Sequence, residues 1–169
     1  IKDNLELSPG EYSITIKGIE IARNELMIGQ HLAMKTGDVD EEVPGVDTVE
    51  PAFGLPAIWI SEEDEERAQF AGYTVVDLPT VLATHLTEIL KNHAYEFIGR
   101  QETQKLIDTH AETEPKVVEE LIPSLLSLGV VQKVLQNLLR ELVSIRDLHT
   151  VLETLADVAP ITKDPELLT

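Results

Sequence analysis

Up to Val76 the apolar residues of this chain alternate with polar ones in short runs; from Asp77 onward they recur at every third or fourth position. A period of two belongs to a half-buried strand and a period near 3.6 to a helix, so one stretch cannot satisfy both. The switch predicts a sheet-bearing first half and an all-helical second half, an α+β chain.

In the first half, Tyr12, Ile14 and Ile16, then Ile19 and Ile21 after Gly18, read as strand carried on to Ala22 with a bulge or bend at the glycine. Ser8-Pro9-Gly10 ahead of it is turn chemistry. Leu32-Ala33-Met34 is a further short strand, residues 57–60 another and 73–76 a third. Between the last two, Ser61 reads as a helix N-cap with Asp64 as its capping partner, and Gly72 as the C-terminal stop. In the second half, Leu82, Leu86, Ile89, Leu90, His93 and Phe97 mark one face of a long helix ending near Gly99. Helices follow over 101–110, 115–128 with a break at Pro123, 130–142, and 145–158, the last opened by Ser144 and Asp147 and closed by Pro160. Asp164 and Pro165 open one more, cut at Thr169, and the first residue is Ile1, so the chain reads as a piece of something longer.

Charge narrows the function classes. Of the 169 residues, 13 are Lys or Arg and 31 are Asp or Glu, a net charge of −18. Such a surface repels phosphate backbones and anionic lipid heads, which argues against nucleic acid or a membrane surface as partner. Eleven of the acids and no base lie between Asp38 and Glu66, a stretch also broken by Pro44, Gly45, Pro51, Gly54 and Pro56, and therefore expected to be largely loop. The absence of cysteine excludes a disulfide framework and any thiolate chemistry. No apolar run approaches the roughly 18 residues of a membrane helix, so a soluble, intracellular piece is expected.

Catalytic patterns find no footing. His85 and His93 share a helix but stand two turns apart, and His31, His110 and His149 have no ligand spacing, so no metal site is expected. His93, on the apolar stripe, reads as a core or interface histidine. The carboxylates of 62–66 cover several sides of a helix and read as a solvated face. No nucleophile elbow and no phosphate loop occurs. The chain is expected to be no enzyme and to need no cofactor. Residues 144–149 could suggest a DNA-reading helix, but only Arg146 and His149 there could face phosphate, and DNA binding is rejected.

One segment carries more information. In Pro51-Ala52-Phe53-Gly54-Leu55-Pro56 two prolines and a glycine frame a phenylalanine and a leucine on a loop that cannot be an inner strand. Phe53 either tucks into a local core or stands as an aromatic anchor beside a groove, and the residues alone leave both open.

These residues and their neighbours resemble a known family. Lys17-Gly18-Ile19-Glu20-Ile21-Ala22, residues 51–55 with Trp59-Ile60, Gly72-Tyr73-Thr74-Val75-Val76, Ala83-Thr84-His85-Leu86, Gly99-Arg100-Gln101-Glu102-Thr103-Gln104 and Ser144-Ile145-Arg146-Asp147-Leu148 are similar to the cytoplasmic region of the large export-gate proteins of type III secretion, the FHIPEP family. The 99–104 stretch looks more like the flagellar branch than the injectisome branch that serves virulence effectors.

The resemblance implies a longer protein with a multi-span membrane half at the bacterial inner membrane and a cytoplasmic half of four subdomains. Of these the chain would hold part of the first (1–28 and 78–98), an inserted second (29–77) and most of a helical third (99–169). It also implies a nine-membered homo-oligomeric ring that meets other export-apparatus proteins and docks export chaperones carrying filament-type substrates, supporting flagellum assembly. The alternative it leaves is a chiefly structural, ring-building unit.

Carried over residue by residue, the chaperone site of the family falls on Glu50, Phe53 and Thr84, with Leu32, Met34, Leu55, Val76 and Val81 as its apolar wall. Ile28 and Thr36 stand where proline is common, and Glu50 stands where aspartate is commoner and reaches one methylene further.

Overall fold

Two residues decide the first hairpin of the chain. Lys17 and Gly18 both have positive φ, 50° and 84°, the two-residue hairpin geometry whose twist matches that of its strands. The 12–22 run is therefore not one strand bent at glycine but two: β1 (Glu11–Ile16) folds back onto β2 (Ile19–Glu25), pairing Ile16 with Ile19. The only irregularity in the pair falls between Ile14 and Thr15. The computed structural model describes residues 2–169, which divide after Ile89 into two compact units.

In the first unit a second sheet has the strand order β4-β5-β3-β6, built from β3 (Gln30–Met34), β4 (Val46–Val49), β5 (Pro56–Ser61) and β6 (Thr74–Val76). Strand β3 runs antiparallel to both β5 and β6, pairing Leu32 with Trp59 and with Val76. Alternation sorts its side chains onto two faces. Ala33 joins Ile58, Ile60, Tyr73, Ala68 of α1 (Glu65–Phe70) and Ala71 just past it on one face. Leu32 joins Ala57, Trp59 and Val81 on the other, with Met34 and Val76 packed beside them. Covered on both sides, β5 reads as an unbroken apolar run, 57–60, buried throughout.

Strand β4 lies inside the stretch expected to be loop. It pairs with β5 alone, from Val46 opposite Trp59 to Val49 opposite Pro56, and exposes both valines. An edge strand needs no buried face, so it leaves no alternating pattern to read. The expected Ser61 cap is also altered. Ser61 Oγ donates to Asp64 Oδ2 at 2.8 Å, but a single 3₁₀ turn, Glu62–Asp64, intervenes before α1 begins.

Helix α2 (Leu78–Asn92) ends a full turn and more before Gly99, and a 3₁₀ turn, Ala94–Phe97, follows. Its buried residues are Val81 and His85, whereas Leu82, Leu86, Leu90 and Phe97 of the expected core stripe are 36–44% exposed. His93 lies beyond the helix, half-buried, and its Nδ1 makes a local hydrogen bond with Glu96 Oε1 at 2.8 Å, so it is not a core histidine.

The second unit contains α3 (Arg100–Ala111), α4 (Pro115–Glu120), α5 (Leu128–Arg140), α6 (Leu148–Val158) and α7 (Pro165–Leu168). The break at Pro123 is present: residues Leu121–Leu125 depart from the helix and Ile122 is extended, as a residue before proline prefers. Ile107, Leu121, Leu126, Val131, Val134, Leu135, Leu152 and Leu155 close a core of branched aliphatics. Helix α6 starts three residues later than expected. Asp147, not Ser144, is its N-cap, accepting the Thr150 amide at 3.2 Å and the Thr150 hydroxyl at 2.9 Å. Asn137 on α5 donates to Glu166 Oε1 and to Thr169 Oγ1, both at 3.2 Å, and so ties down α7.

Candidate functional site

The loop after β4 is organised by one carboxylate. Glu50 is 2% exposed, and its side chain turns back along the chain: Oε1 accepts the Ala52 amide at 2.9 Å and Oε2 the Phe53 amide at 2.7 Å. Its main chain closes the same loop, the Glu50 amide donating to the Leu55 carbonyl at 2.8 Å and the Gly54 amide to the Glu50 carbonyl at 2.9 Å. Gly54 takes φ of 71°, a conformation that costs glycine nothing. A buried carboxylate is tolerated only where donors replace its water, and two amides do so here. Held this way, Phe53 stands 60% exposed. Of the two readings of this loop, the tucked core residue does not describe it.

Opposite the loop, Asp77 caps α2, its Oδ1 accepting the Thr80 amide at 2.9 Å. The Thr80 hydroxyl, and then that amide, hold the Asp77 carboxyl below the usual carboxylate range. Pro79 falls in the first turn, where no amide donor is required. That start places Thr80, Val81 and Thr84 along one side of the helix. Together with the loop and the ends of β3 and β6 they enclose a cavity of about 220 Å³, lined by Met34, Thr36, Glu50, Phe53, Leu55, Val76, Thr80, Val81 and Thr84.

Glu50, Phe53, Leu55, Thr84, Met34, Val76 and Val81, all singled out from the sequence, thus meet at one cavity. Leu32 does not reach it: fully buried, it packs against Val81 and Trp59 and supports the wall from behind. Two lining residues were not anticipated. Thr36 continues the Leu32, Met34 side of its strand at period two, and Thr80 precedes Thr84 by one helical turn, so periodicity held both signals.

Two more side chains belong to the electrostatics of the site. The Tyr12 phenol and His85 Nδ1 lie 2.7 Å apart, with the rings edge to face at 5.7 Å. Burial, aided by the Glu50 carboxylate, pushes the Tyr12 phenol up to about 12. Burial pulls His85 below its ordinary value, and Glu50 opposes that fall. A larger groove of about 860 Å³ lies in the second unit between Leu106, Leu139, Ile145 and Leu148 and the cations Lys105 and Arg146. None of the residues singled out as a candidate site lines it. Among the described residues no group of three His, Cys, Asp or Glu is placed to hold a metal ion, and no helix is long and apolar enough to cross a membrane.

Comparison with known proteins gives a consistent result. The sequence model of the FHIPEP family matches residues 1–169. The flagellar biosynthesis protein FlhA of Bacillus subtilis is 53% identical over 169 residues, all of this chain and 25% of that protein. The chain thus spans about a quarter of the length of that curated relative. Among solved structures, the Chlamydia pneumoniae CdsV and CdsO protein complex matches 98% of this chain and 51% of the compared chain with a TM-score of 0.82 at 26% identity. The nonameric EPEC SctV-C, solved by cryo-EM, matches 94% of this chain and 48% of its own with a TM-score of 0.69, also at 26% identity.

Proposed function

The chain belongs to the FHIPEP family, and from that premise we propose that it is part of a flagellar type III protein export gate, a non-catalytic docking platform for export chaperones carrying filament-type substrates. The observation that carries the reading is the clasped loop: an aromatic side chain 60% exposed at the rim of an apolar cavity, fixed by a buried carboxylate. A partner suited to it is an amphipathic helix with one apolar residue for the cavity and basic residues toward the acidic flank. Identity of 53% to a flagellar protein, against 26% to the two secretion proteins compared by structure, supports the flagellar branch over the injectisome. In this reading the chain works on the cytoplasmic face of the bacterial inner membrane, and residues 1–28 with 78–98, 29–77 and 99–169 are portions of three subdomains.

Calorimetric titration of the chain with a flagellar chaperone loaded with its filament-type substrate tests the proposal. Saturable binding that weakens with added salt is the expected result, because the Debye length falls from about 10 Å at 0.1 M to about 3 Å at 1 M. Absence of binding at any salt, with the fold intact by circular dichroism, would overturn it.

A second reading has its own support. SctV-C is nonameric, and the present chain matches its fold over 94% of its length. On that ground the chain is chiefly a ring-building unit, joined to its copies through the helical second unit. It predicts concentration-dependent assembly of the complete cytoplasmic region, weakened by substitutions on α3 to α6. Sedimentation showing monomer at every concentration would rule it out.

A further inference from the structure

Strand β4 ends one side of the four-stranded sheet with an open flank: among the described residues it pairs with β5 alone. The register decides which of its backbone groups are left over. Val49 stands opposite Pro56, which has no amide to donate and whose carbonyl accepts the Lys35 amide at 2.9 Å, on the β3 side. The next residue along is bonded, the Glu50 amide donating to the Leu55 carbonyl at 2.8 Å. Bonded and non-bonded pairs alternate along an antiparallel ladder, so Val46 and Thr48 bond to β5 while Asp47 and Val49 turn amide and carbonyl outward.

Open edges are ordinarily blunted by a lysine, a proline, a bulge or a cover. The run Val46-Asp47-Thr48-Val49 has no lysine, no proline and no break in register, and its valines are 50% and 58% exposed. What guards it is charge. Asp47 lies on the strand itself, within the stretch from Asp38 to Glu66 that holds eleven acids and no base. Two such edges brought together set like charge against like, which makes a second copy of this chain a poor occupant. A strand carrying lysine or arginine meets opposite charge instead. Both ends of β4 are also fixed in advance. Gly45 approaches Trp59 so closely that a Cβ would lie 2.5 Å from its carbonyl oxygen, and Glu50 clasps the loop that follows.

We propose that the outer edge of β4 is a strand-addition site, which takes an extended basic segment of a partner protein as a fifth strand of the sheet. Asp47 and Val49 supply the backbone hydrogen bonds. A lysine or arginine of the added strand lies opposite Asp47, and β-branched residues lie beside Val46, Thr48 and Val49, extending the surfaces those side chains leave exposed. No residue of β4 lines the Phe53 cavity, so the inference goes beyond the docking reading and does not rest on it.

The test uses the whole chain and an acetylated peptide, Lys-Val-Thr-Lys-Val-Lys, which in antiparallel register places a lysine opposite Asp47. Amide hydrogen exchange is followed residue by residue by NMR. At saturation the Asp47 and Val49 amides should slow by roughly tenfold or more, equivalent to about 1.4 kcal/mol, while the Thr48 amide, already bonded within the sheet, should not change. N-methylating the peptide residues opposite Asp47 and Val49 removes its donors and keeps its charge, and should abolish the slowing. Glutamate in place of its lysines should do the same. Val49→Pro removes an outward donor without touching the ladder to β5, and should lose the protection at Asp47. Unchanged exchange at both amides would overturn the proposal. So would equal protection by the N-methylated peptide, which would mean attraction by charge alone, or by the glutamate peptide. Slowing that grows with chain concentration in the absence of peptide would overturn it in favour of a second copy. No chaperone enters the experiment, so it succeeds or fails separately from the calorimetric titration.

Discussion

Replacing Phe53 by alanine should weaken binding of a substrate-loaded export chaperone by roughly 2–4 kcal/mol, about 30- to 700-fold, while leaving the folded chain almost as stable as before. The asymmetry follows from where the ring sits. At 60% exposure it contributes little to the packing of the unit, and the truncated residue retains its amide and hence the bond to Glu50 Oε2. Surface changes of this kind usually move stability by no more than about 0.5 kcal/mol. In the proposed complex the same ring would be the anchor over the cavity, and anchors at the centre of an interface carry most of the affinity. Calorimetry gives the first quantity and urea unfolding followed by Trp59 emission the second. Equal affinity of parent and variant would remove the groove from the docking site, whatever the rest of the chain does.

The largest effect on stability is expected in the second unit. Leu135 is fully buried on α5 within the aliphatic core that also includes Val131, Leu152 and Leu155. Leu135→Ala should cost about 2–5 kcal/mol through lost burial and the cavity left behind. The unit is small: at about 0.05–0.15 kcal/mol per residue, its eighty residues hold roughly 4–12 kcal/mol in all. One methyl-rich side chain therefore decides a large part of its stability. In a domain of this size each kcal/mol moves the midpoint by about 4–8 °C, so the helical circular dichroism transition should drop by at least about 8 °C. Leu142→Ala, at a position 64% exposed just past α5, should move it by far less. Similar midpoints for the two variants would show that the core does not hold the unit together as described.

How much of this could be read from the residues depends on what each pattern encodes. The change of period near Asp77 marked correctly where the strands end, because side-chain spacing is a direct consequence of backbone geometry. Spacing does not say where a strand turns back. A period-two run looks the same whether it continues or folds over two residues, and only the paired positive φ of Lys17 and Gly18 made the difference. Nor does a stripe name its partner. Leu82, Leu86 and Leu90 form a regular apolar row, yet the row one position back is the buried one, Val81 against the sheet and His85 against Tyr12.

The site divides the same way. Proline and glycine announced the loop of Phe53, since both restrict the backbone locally. Glu50 looked like any other acid in a run of eleven, and its burial depends on amides that only the folded loop presents. Its assignment to the site came from family resemblance, not from its spacing. The contact of Tyr12 with His85 spans 73 residues, beyond any local pattern.

The closure of the 50–55 loop on a single residue has a consequence for the pace of exchange. Ordering a flexible backbone costs about 1–2 kcal/mol per residue, and in this loop that loss of entropy is complete before any partner arrives. On the docking reading a partner helix would meet a loop already ordered, so encounter would need no slow rearrangement on this side. Modest contact area then suffices for recognition, and dissociation can remain quick. If the chain docks one cargo after another, as proposed, a loop closed in advance favours that combination, where a mobile one would trade affinity against turnover.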